Sequence, residues 1–369
     1  MLLFIDHLNQ NEHWIKLINN KKMKYKILGK TGLFVSEMCL GTMTFGQSGG
    51  IYAAASGVLQ EDADAIVKRS IDAGINFIDT ANVYAGGQSE EIIGRSIKNL
   101  GIARKDLVIA TKMGHATGDG PNDGGSSRYH IKNQVKESLK RLGTDHIDLY
   151  QLHGWDAATP LEETIRAMDD LVKEGNVRYI GVSNWAAWQI QKALGTADRL
   201  NSTRFESVQA YYSLAGRDIE REILPMLESE HLGLLVFSPL AGGYLSGKYR
   251  HGAENGRRNT IQFPPVDEGK SKPIVNLLAQ IAEEHHSSIA AIALAWLTQK
   301  RSVTSVILGI KRIDQLEDNL NAAQITLSAD DIQKLDEASK LAVEYPGWMM
   351  QSGSSREVLL ETGELTKAY

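Results

Sequence analysis

A single cysteine, Cys39, stands in a chain of 369 residues. One thiol excludes an internal disulfide and a cysteine-built metal cluster, and it fits a reducing compartment. Long apolar runs are also missing: nothing approaches the roughly 18 consecutive apolar residues of a membrane span. Basic charge is not in excess either. A net charge of -5 and a pI near 6.1 give no broad cationic face, which argues against nucleic-acid binding. The histidines, including the pair His285-His286, have no partner at metal-ligand spacing, so no metal is expected. At the N-terminus MLLFIDHLNQ has no basic lead-in, and Asp6 cuts its apolar stretch short, which makes a poor secretion signal. Cytoplasmic is the expected location. What remains, 42% hydrophobic and 23% charged, is an ordinary globular composition.

The chain then shows a repeating order. Short apolar runs alternate with amphipathic ones, and eight of the former read as strands: EMCLGTM (37–43), NFIDTA (76–81), LVIATK (107–112), IDLYQLH (147–153), YIGVSN (179–184), SVQAYYS (207–213), GLLVFSP (233–239) and SVILGI (305–310). Few polar residues interrupt them, as in parallel strands covered on both faces. The intervening helices carry end signals. TPLEETIRAMDDLVKEG (159–175) reads as a helix with Thr159 as N-cap, Glu162 closing a capping box and Gly175 past the last turn. Gly143 ends the helical run from Ile131, and Ser328 with Asp331 opens another.

Eight strand–helix units without a break in composition predict a (β/α)8 TIM barrel. Before them, KYKIL and LFVS flank GKTG as a hairpin that would close the N-terminal mouth. A doubly wound nucleotide fold is the rival, but no G-x-G-x-x-G follows the first strand. Residues 1–22 read as an N-terminal extension, 23–340 as the barrel and 341–369 as a C-terminal tail. That tail has the residues either to close over a pocket or to join subunits. Long loops follow strands one, three and seven, at the face where barrel active sites are built, and they suit lids over a ligand.

Four ionisable residues break strands at that same face. Strand two ends in Asp79 with Tyr84 just beyond it, strand three in Lys112 and strand four in His153. Any one alone reads as a solvated strand end; four at one mouth point to chemistry. A phenol is a weak acid at neutral pH unless something stabilises its anion. An ammonium beside it does so, and a carboxylate keeps that ammonium charged in an apolar pocket. A histidine opposite can orient a carbonyl oxygen. Such a set protonates an oxygen while something else reduces the carbon.

FIDTANVYAGGQSEEIIG, ATK, LYQLH and GVSN, in this order and spacing, resemble the signatures of the aldo-keto reductase superfamily over about residues 24–340. The resemblance implies a barrel that binds a nicotinamide cofactor without a Rossmann fold. It makes Tyr84 the general acid, Lys112 and Asp79 its tuning pair, and His153 the group that orients the carbonyl. It also assigns Ser183, Asn184 and Gln209 to the nicotinamide carboxamide. Phe237 falls where the family often stacks Tyr or Trp on the nicotinamide ring. Gly41, Thr42, Ser238 and Leu240 join the cofactor set, with the Gly242-Gly243 turn at the pyrophosphate. Gly309, Lys311, Arg312, Gln315 and Asn319 match the segment that holds the adenosine 2′-phosphate and adenine, which favours NADPH over NADH. Arg257 and Arg258 are further candidates for phosphate. The bland alternative for Lys311 and Arg312 is a solvated helix start.

Met43, Trp155 and Trp185 read either as an apolar substrate wall or as packing at the rim. A small-molecule carbonyl is the expected partner, with no nucleic acid or membrane, and the oligomeric state is left open. Two other classes stand beside a reductase. A cofactor-binding regulatory subunit, as some members of the superfamily serve ion channels, would keep the same residues. A barrel hydrolase using Asp79 would need a second carboxylate nearby, where Lys112 and His153 stand instead.

Overall fold

A computed structural model describes residues 23–49, 53, 55–250, 252 and 257–350. The expected extension 1–22 lies outside these residues, as do parts of the loops after the first and seventh predicted strands and of the tail. Ten strands are present among the described residues. β1 (Tyr25–Ile27) and β2 (Phe34–Ser36) pair antiparallel. The remaining eight are β3 (Met38–Gly41), β4 (Phe77–Asp79), β5 (Val108–Met113), β6 (Ile147–Leu152), β7 (Val177–Ser183), β8 (Phe205–Tyr211), β9 (Gly233–Phe237) and β10 (Val303–Gly309). They close into one parallel barrel, each pairing with the next in sequence and β10 returning to β3. The expected (β/α)8 barrel is the observed fold.

Its interior is filled from both ends. Phe77, Ala110, Leu149 and Leu235 meet Cys39 inside the barrel, and all are fully buried. Leu28 and Val35, from the hairpin, join the same cluster with no exposed surface. The hairpin therefore plugs the barrel bottom with its own apolar side chains, which removes them from water at roughly 25 cal/mol per Å². Lys26 ties it down by donating to the carbonyls of Thr298 (2.9 Å) and Val303 (2.6 Å). A larger cluster lies between the strands and the surrounding helices.

Three helix ends are read correctly from sequence, among them Gly175 just past Leu161–Lys173 with φ of 79°, and one is not. Ser328 and Asp331 cap the helix Ala329–Ala338 reciprocally, and Gly143 takes the left-handed conformation after Arg128–Leu142. The helix expected to begin at Thr159 spans Leu161–Lys173 instead, with Pro160 at the N-cap and no side-chain cap. The reason is local competition. Asp156 accepts from Thr159 Oγ1 (2.6 Å), Ala158 N (2.8 Å) and Ser126 N (2.7 Å), so the Thr159 hydroxyl is spent before the helix begins.

Candidate active site

At the C-terminal ends of the strands lies a cavity of about 940 Å³, lined by Asp79, Tyr84 and His153 at one end and Lys311, Arg312 and Gln315 at the other. Barrel register places its floor: Gly41, Asp79 and Ala110 lie level on β3, β4 and β5, and Lys112 faces Gln151 across β5 and β6. Gly41 is required there, because a Cβ would come within 2.6 Å of Ile307 Cγ2 and 3.0 Å of the Leu308 carbonyl oxygen.

Lys112 has no exposed surface. Its Nζ donates to Asp79 Oδ1 (2.5 Å), to the Thr80 carbonyl (2.8 Å) and to Tyr84 Oη (3.1 Å). Burial alone would lower the lysine pKa, but Asp79 and then Tyr84 more than offset it, and the ammonium is held above its usual range. The second Asp79 oxygen is also occupied. Gln209 Nε2 (2.9 Å) and Gln151 Nε2 (3.2 Å) both donate to Oδ2. The sequence assigned Gln209 to a cofactor amide; here its own amide group supports the aspartate, though it also lines the cavity. Gln151 had escaped notice. Its signal was a polar residue inside LYQLH, two before His153 and so on the same strand face.

Tyr84 reaches this cluster through an unusual turn. Ala85, Gly86 and Gly87 have φ of 48°, 64° and 96°, three left-handed residues between Tyr84 and the helix Gln88–Asn99. Gly87 has a second constraint, since a Cβ would lie 2.8 Å from Arg141 Cδ. The turn is pinned from below by Ser89, whose hydroxyl lies 2.8 Å from Thr42 Oγ1 and 2.9 Å from Thr80 Oγ1. Its helix is held by Glu90, fully buried, which accepts from Thr111 Oγ1 and Arg141 Nε, both at 2.6 Å.

His153 follows β6 directly, its ring edge-on to Tyr84 at 5.9 Å between centroids. Its pKa is held well below the ordinary histidine range, first by burial and then by Lys112 and His115. The ring is therefore neutral at pH 7, and its buried Nδ1 has no protein partner. A neutral imidazole can donate to a carbonyl oxygen from one nitrogen while the other carries no proton.

The other end of the cavity is cationic. Lys248, Arg257 and Lys311 all line it. The Lys311 pKa is lowered by partial burial and then by Arg257 and Lys248, so these charges crowd one another. Arg257 Nε is buried without a hydrogen-bond partner. Arg312 also lines the cavity, but its guanidinium is committed to Asp314 (2.8 and 2.9 Å) in the same turn. Arg258 is spent on structure: it donates to the Pro264 (2.7 Å) and Ala241 (3.3 Å) carbonyls. Lys248 was not singled out from sequence, because it lies in a loop without a periodic frame.

Between these ends lie Thr42, Ser183, Asn184, Phe237, Ser238, Leu240, Gly309 and Asn319, all on the cavity wall. Two hydrogen bonds define local roles. Asn184 Nδ2 donates to the His153 carbonyl (3.1 Å), and Ser238 Oγ accepts from Gly242 N (3.1 Å). Met43 lines the cavity as expected, whereas Trp155 and Trp185 do not. Trp185 is 3% exposed and packs edge-on against Trp155 at 4.7 Å and Phe205 at 5.9 Å. The two indoles pack on one another behind the rim, the second of the two readings, and Trp185 Nε1 is buried without a hydrogen-bond partner. His115, unremarked in the sequence, lines the cavity instead.

Comparison with known proteins agrees with this geometry. The model of the aldo/keto reductase family matches residues 37–340. A probable voltage-gated potassium channel subunit beta from Arabidopsis thaliana is 40% identical over 314 residues, covering 82% of this chain and 92% of the relative. An uncharacterized oxidoreductase, YrpG, from Bacillus subtilis is 36% identical over 324 residues, 85% of this chain and 95% of the relative. Norsolorinic acid reductase from Aspergillus flavus is 35% identical over 334 residues, 87% and 82% respectively. The barrel, the strand-end cluster and a match across most of the chain agree, and the protein belongs to the aldo/keto reductase family.

Proposed function

We propose that this protein reduces aldehyde or ketone carbonyls to alcohols with NADPH, Tyr84 serving as the general acid. The observation that carries the reading is Lys112 Nζ held between Asp79 Oδ1 and Tyr84 Oη. Tyr84 gives its phenolic proton to the carbonyl oxygen as charge develops there, and Lys112 stabilises the phenolate that remains. Asp79, itself braced by Gln209 and Gln151, keeps the ammonium charged. His153 donates to the same carbonyl oxygen and fixes its direction. The chemistry supplied by a bound nicotinamide is hydride donation to the carbonyl carbon.

The residues present fit such a cofactor. The cavity stands at the upper end of the roughly 300–1,000 Å³ of ligand pockets. Phe237 offers a ring face, Ser183 and Asn184 polar groups beside it, and Gly309 a backbone free of side chain. At the far end Lys248, Arg257 and Lys311 crowd positive charge with no carboxylate paired to Arg257 Nε, which suits a phosphate on the adenosine ribose.

That last assignment makes a prediction. Replacing both Arg257 and Lys311 by alanine should raise the NADPH Kd by about a hundredfold or more, since two hydrogen bonds to a charged group are lost, each worth roughly 1.5–3 kcal/mol. NADH should change by less than about threefold, because the 2′-phosphate is the lost partner. Fluorescence titration with each dinucleotide measures both, and an equal loss for the two would sink the phosphate assignment.

The reading itself is tested by NADPH titration followed by oxidation assays across aromatic, aliphatic and sugar-derived aldehydes. Turnover of at least one class supports it. The relatives named as channel subunits beta motivate a second reading, a cofactor-binding regulatory subunit. NADPH binding without turnover of any aldehyde would favour that reading.

A further inference from the structure

We propose that Arg141 is a positioning residue for Tyr84, acting through the Gly86-Gly87 turn and through Glu90 to hold the phenol against Lys112. The inference rests on the general-acid reading above and adds the group, outside the cavity, that sets the acid in place.

The turn behind Tyr84 does not hold itself. Ala85 is a non-glycine residue at φ of 48°, followed by Gly86 at 64° and Gly87 at 96°. Such backbone persists where its surroundings over-determine it, and here two neighbours close on it. On one side is Gly46, where a Cβ would come within 2.8 Å of Ala85 Cβ and 2.9 Å of Gln88 Cβ. On the other is the Arg141 side chain. A Cβ on Gly87 would lie 2.8 Å from its Cδ, 3.1 Å from its Nε and 3.5 Å from its Cζ. Arg141 is thus seated directly against the backbone of the turn that carries the phenol.

Arg141 is itself fixed. It stands in the last turn of the helix Arg128–Leu142, which touches the helix Gln88–Asn99 at Gly94. A Cβ on Gly94 would meet the Arg141 and Leu142 carbonyl oxygens, each at 2.7 Å. Arg141 Nε donates to Glu90 Oε2 (2.6 Å), and Glu90 Oε1 accepts from Thr111 Oγ1 (2.6 Å). Thr111 precedes Lys112 on β5, so the two side chains leave opposite faces of the strand. The contacts therefore close a ring. Inside the barrel Lys112 Nζ reaches Tyr84 Oη at 3.1 Å; outside it, Thr111, Glu90, Arg141 and Gly87 join the same two residues. Glu90 has no exposed surface and the Arg141 side chain is 18% exposed, so solvent screens this pair little. Lys112 has two shorter partners, Asp79 and the Thr80 carbonyl, and would not follow a phenol that drifted away. A displacement on the order of 1 Å can cost about a hundredfold in rate.

The test removes both charges together, so that no buried ion is left alone: Glu90→Gln with Arg141→Ala. Gln still accepts from Thr111, and Ala empties the space against Gly87. With NADPH and an aldehyde that the unmodified protein turns over, kcat should fall about tenfold to a hundredfold. KM and the NADPH Kd should change by less than about threefold, because the displaced group works in the transition state. In a Tyr84→Phe background the same two changes should lower the residual rate by less than about twofold, since the phenol to be positioned is gone. Arg141→Lys restores a stem and a cation for Glu90 and should recover most of kcat. Should the double variant fail to fold, Thr111→Val interrupts the ring at its other end. It should lower kcat about threefold or more, again only when Tyr84 is present. A folded double variant with kcat within about threefold of the unmodified protein would overturn the proposal. So would an equal fractional loss with and without Tyr84, or a parallel rise in NADPH Kd, since either marks a general loosening of the barrel. The general-acid reading fails separately if Tyr84→Phe alone keeps full activity or the unmodified protein turns over no aldehyde, and this inference then falls with it.

Discussion

Replacing Tyr84 by phenylalanine is expected to lower kcat/KM for aldehyde reduction by roughly a hundredfold to ten-thousandfold, the usual weight of a positioned general acid. The substitution removes one oxygen and leaves the rest in place. Lys112 keeps Asp79 and the Thr80 carbonyl as acceptors, so its charge remains compensated. The aromatic ring keeps its edge contact with His153, and the left-handed turn Ala85–Gly87 does not depend on the hydroxyl. Cofactor binding should therefore change by less than about twofold, since the lost group acts on substrate in the transition state. Steady-state kinetics beside NADPH titration separate the two effects. Activity retained within a few-fold would show that the proton comes from elsewhere, and a parallel loss of NADPH affinity would show that Tyr84 belongs to the cofactor site.

How the sequence conveyed this site depends on the kind of interaction involved. Asp79, Lys112 and His153 were legible because each interrupts an apolar strand at its end, and the barrel brings strand ends together whatever the loops do. The cavity wall from Thr42 to Asn319 was legible by resemblance, which carries position without contact. Gln209 shows the difference, as its amide rests on Asp79, a bond across β4 and β8 that no local pattern announces. The capping box at Ser328 could be read because both partners lie within one turn. The expected cap at Thr159 failed because its competitor, Asp156, also gathers Ser126 from another loop. For Trp155 and Trp185 two readings stayed open for a related reason. Indoles at a strand end suit a pocket wall as well as a rim cluster, and their mutual packing decides between the two. His115 was hidden in a glycine-rich loop whose shape comes from hydrogen bonds to Asp123 and Gln134.

Asp79→Asn tests the electrostatic base of the mechanism, and its largest expected effect is on stability. The substitution keeps the side-chain shape and deletes the charge facing a lysine with no exposed surface. Breaking such a pair from one side costs about 3–5 kcal/mol, because the remaining ion is buried without compensation. The dependence on pH identifies the cause. In the unmodified protein the Lys112 pKa lies above its usual 10.5, so the group is protonated in both folded and unfolded chains below that value. Its contribution to stability is then constant from pH 6 to 9 and is lost only as pH rises through the folded pKa. Without Asp79 the dominant influence is burial, which drives the folded-state pKa of Lys112 down. The unfolded chain then binds more protons than the folded one, and stability of the variant must rise with pH across that window, by up to about 1.4 kcal/mol per unit. Urea unfolding of both proteins at pH 6, 7.5 and 9 gives the difference directly, and titrations of groups remote from Lys112 cancel. The deficit should be largest at pH 6 and shrink toward pH 9. At the high-pH end the refolded variant should still reduce carbonyls poorly, because a neutral Lys112 cannot hold the phenolate that Tyr84 leaves behind. A deficit of equal size at every pH would mean that packing, not charge, makes Asp79 necessary, and that Lys112 finds its compensation elsewhere in the barrel.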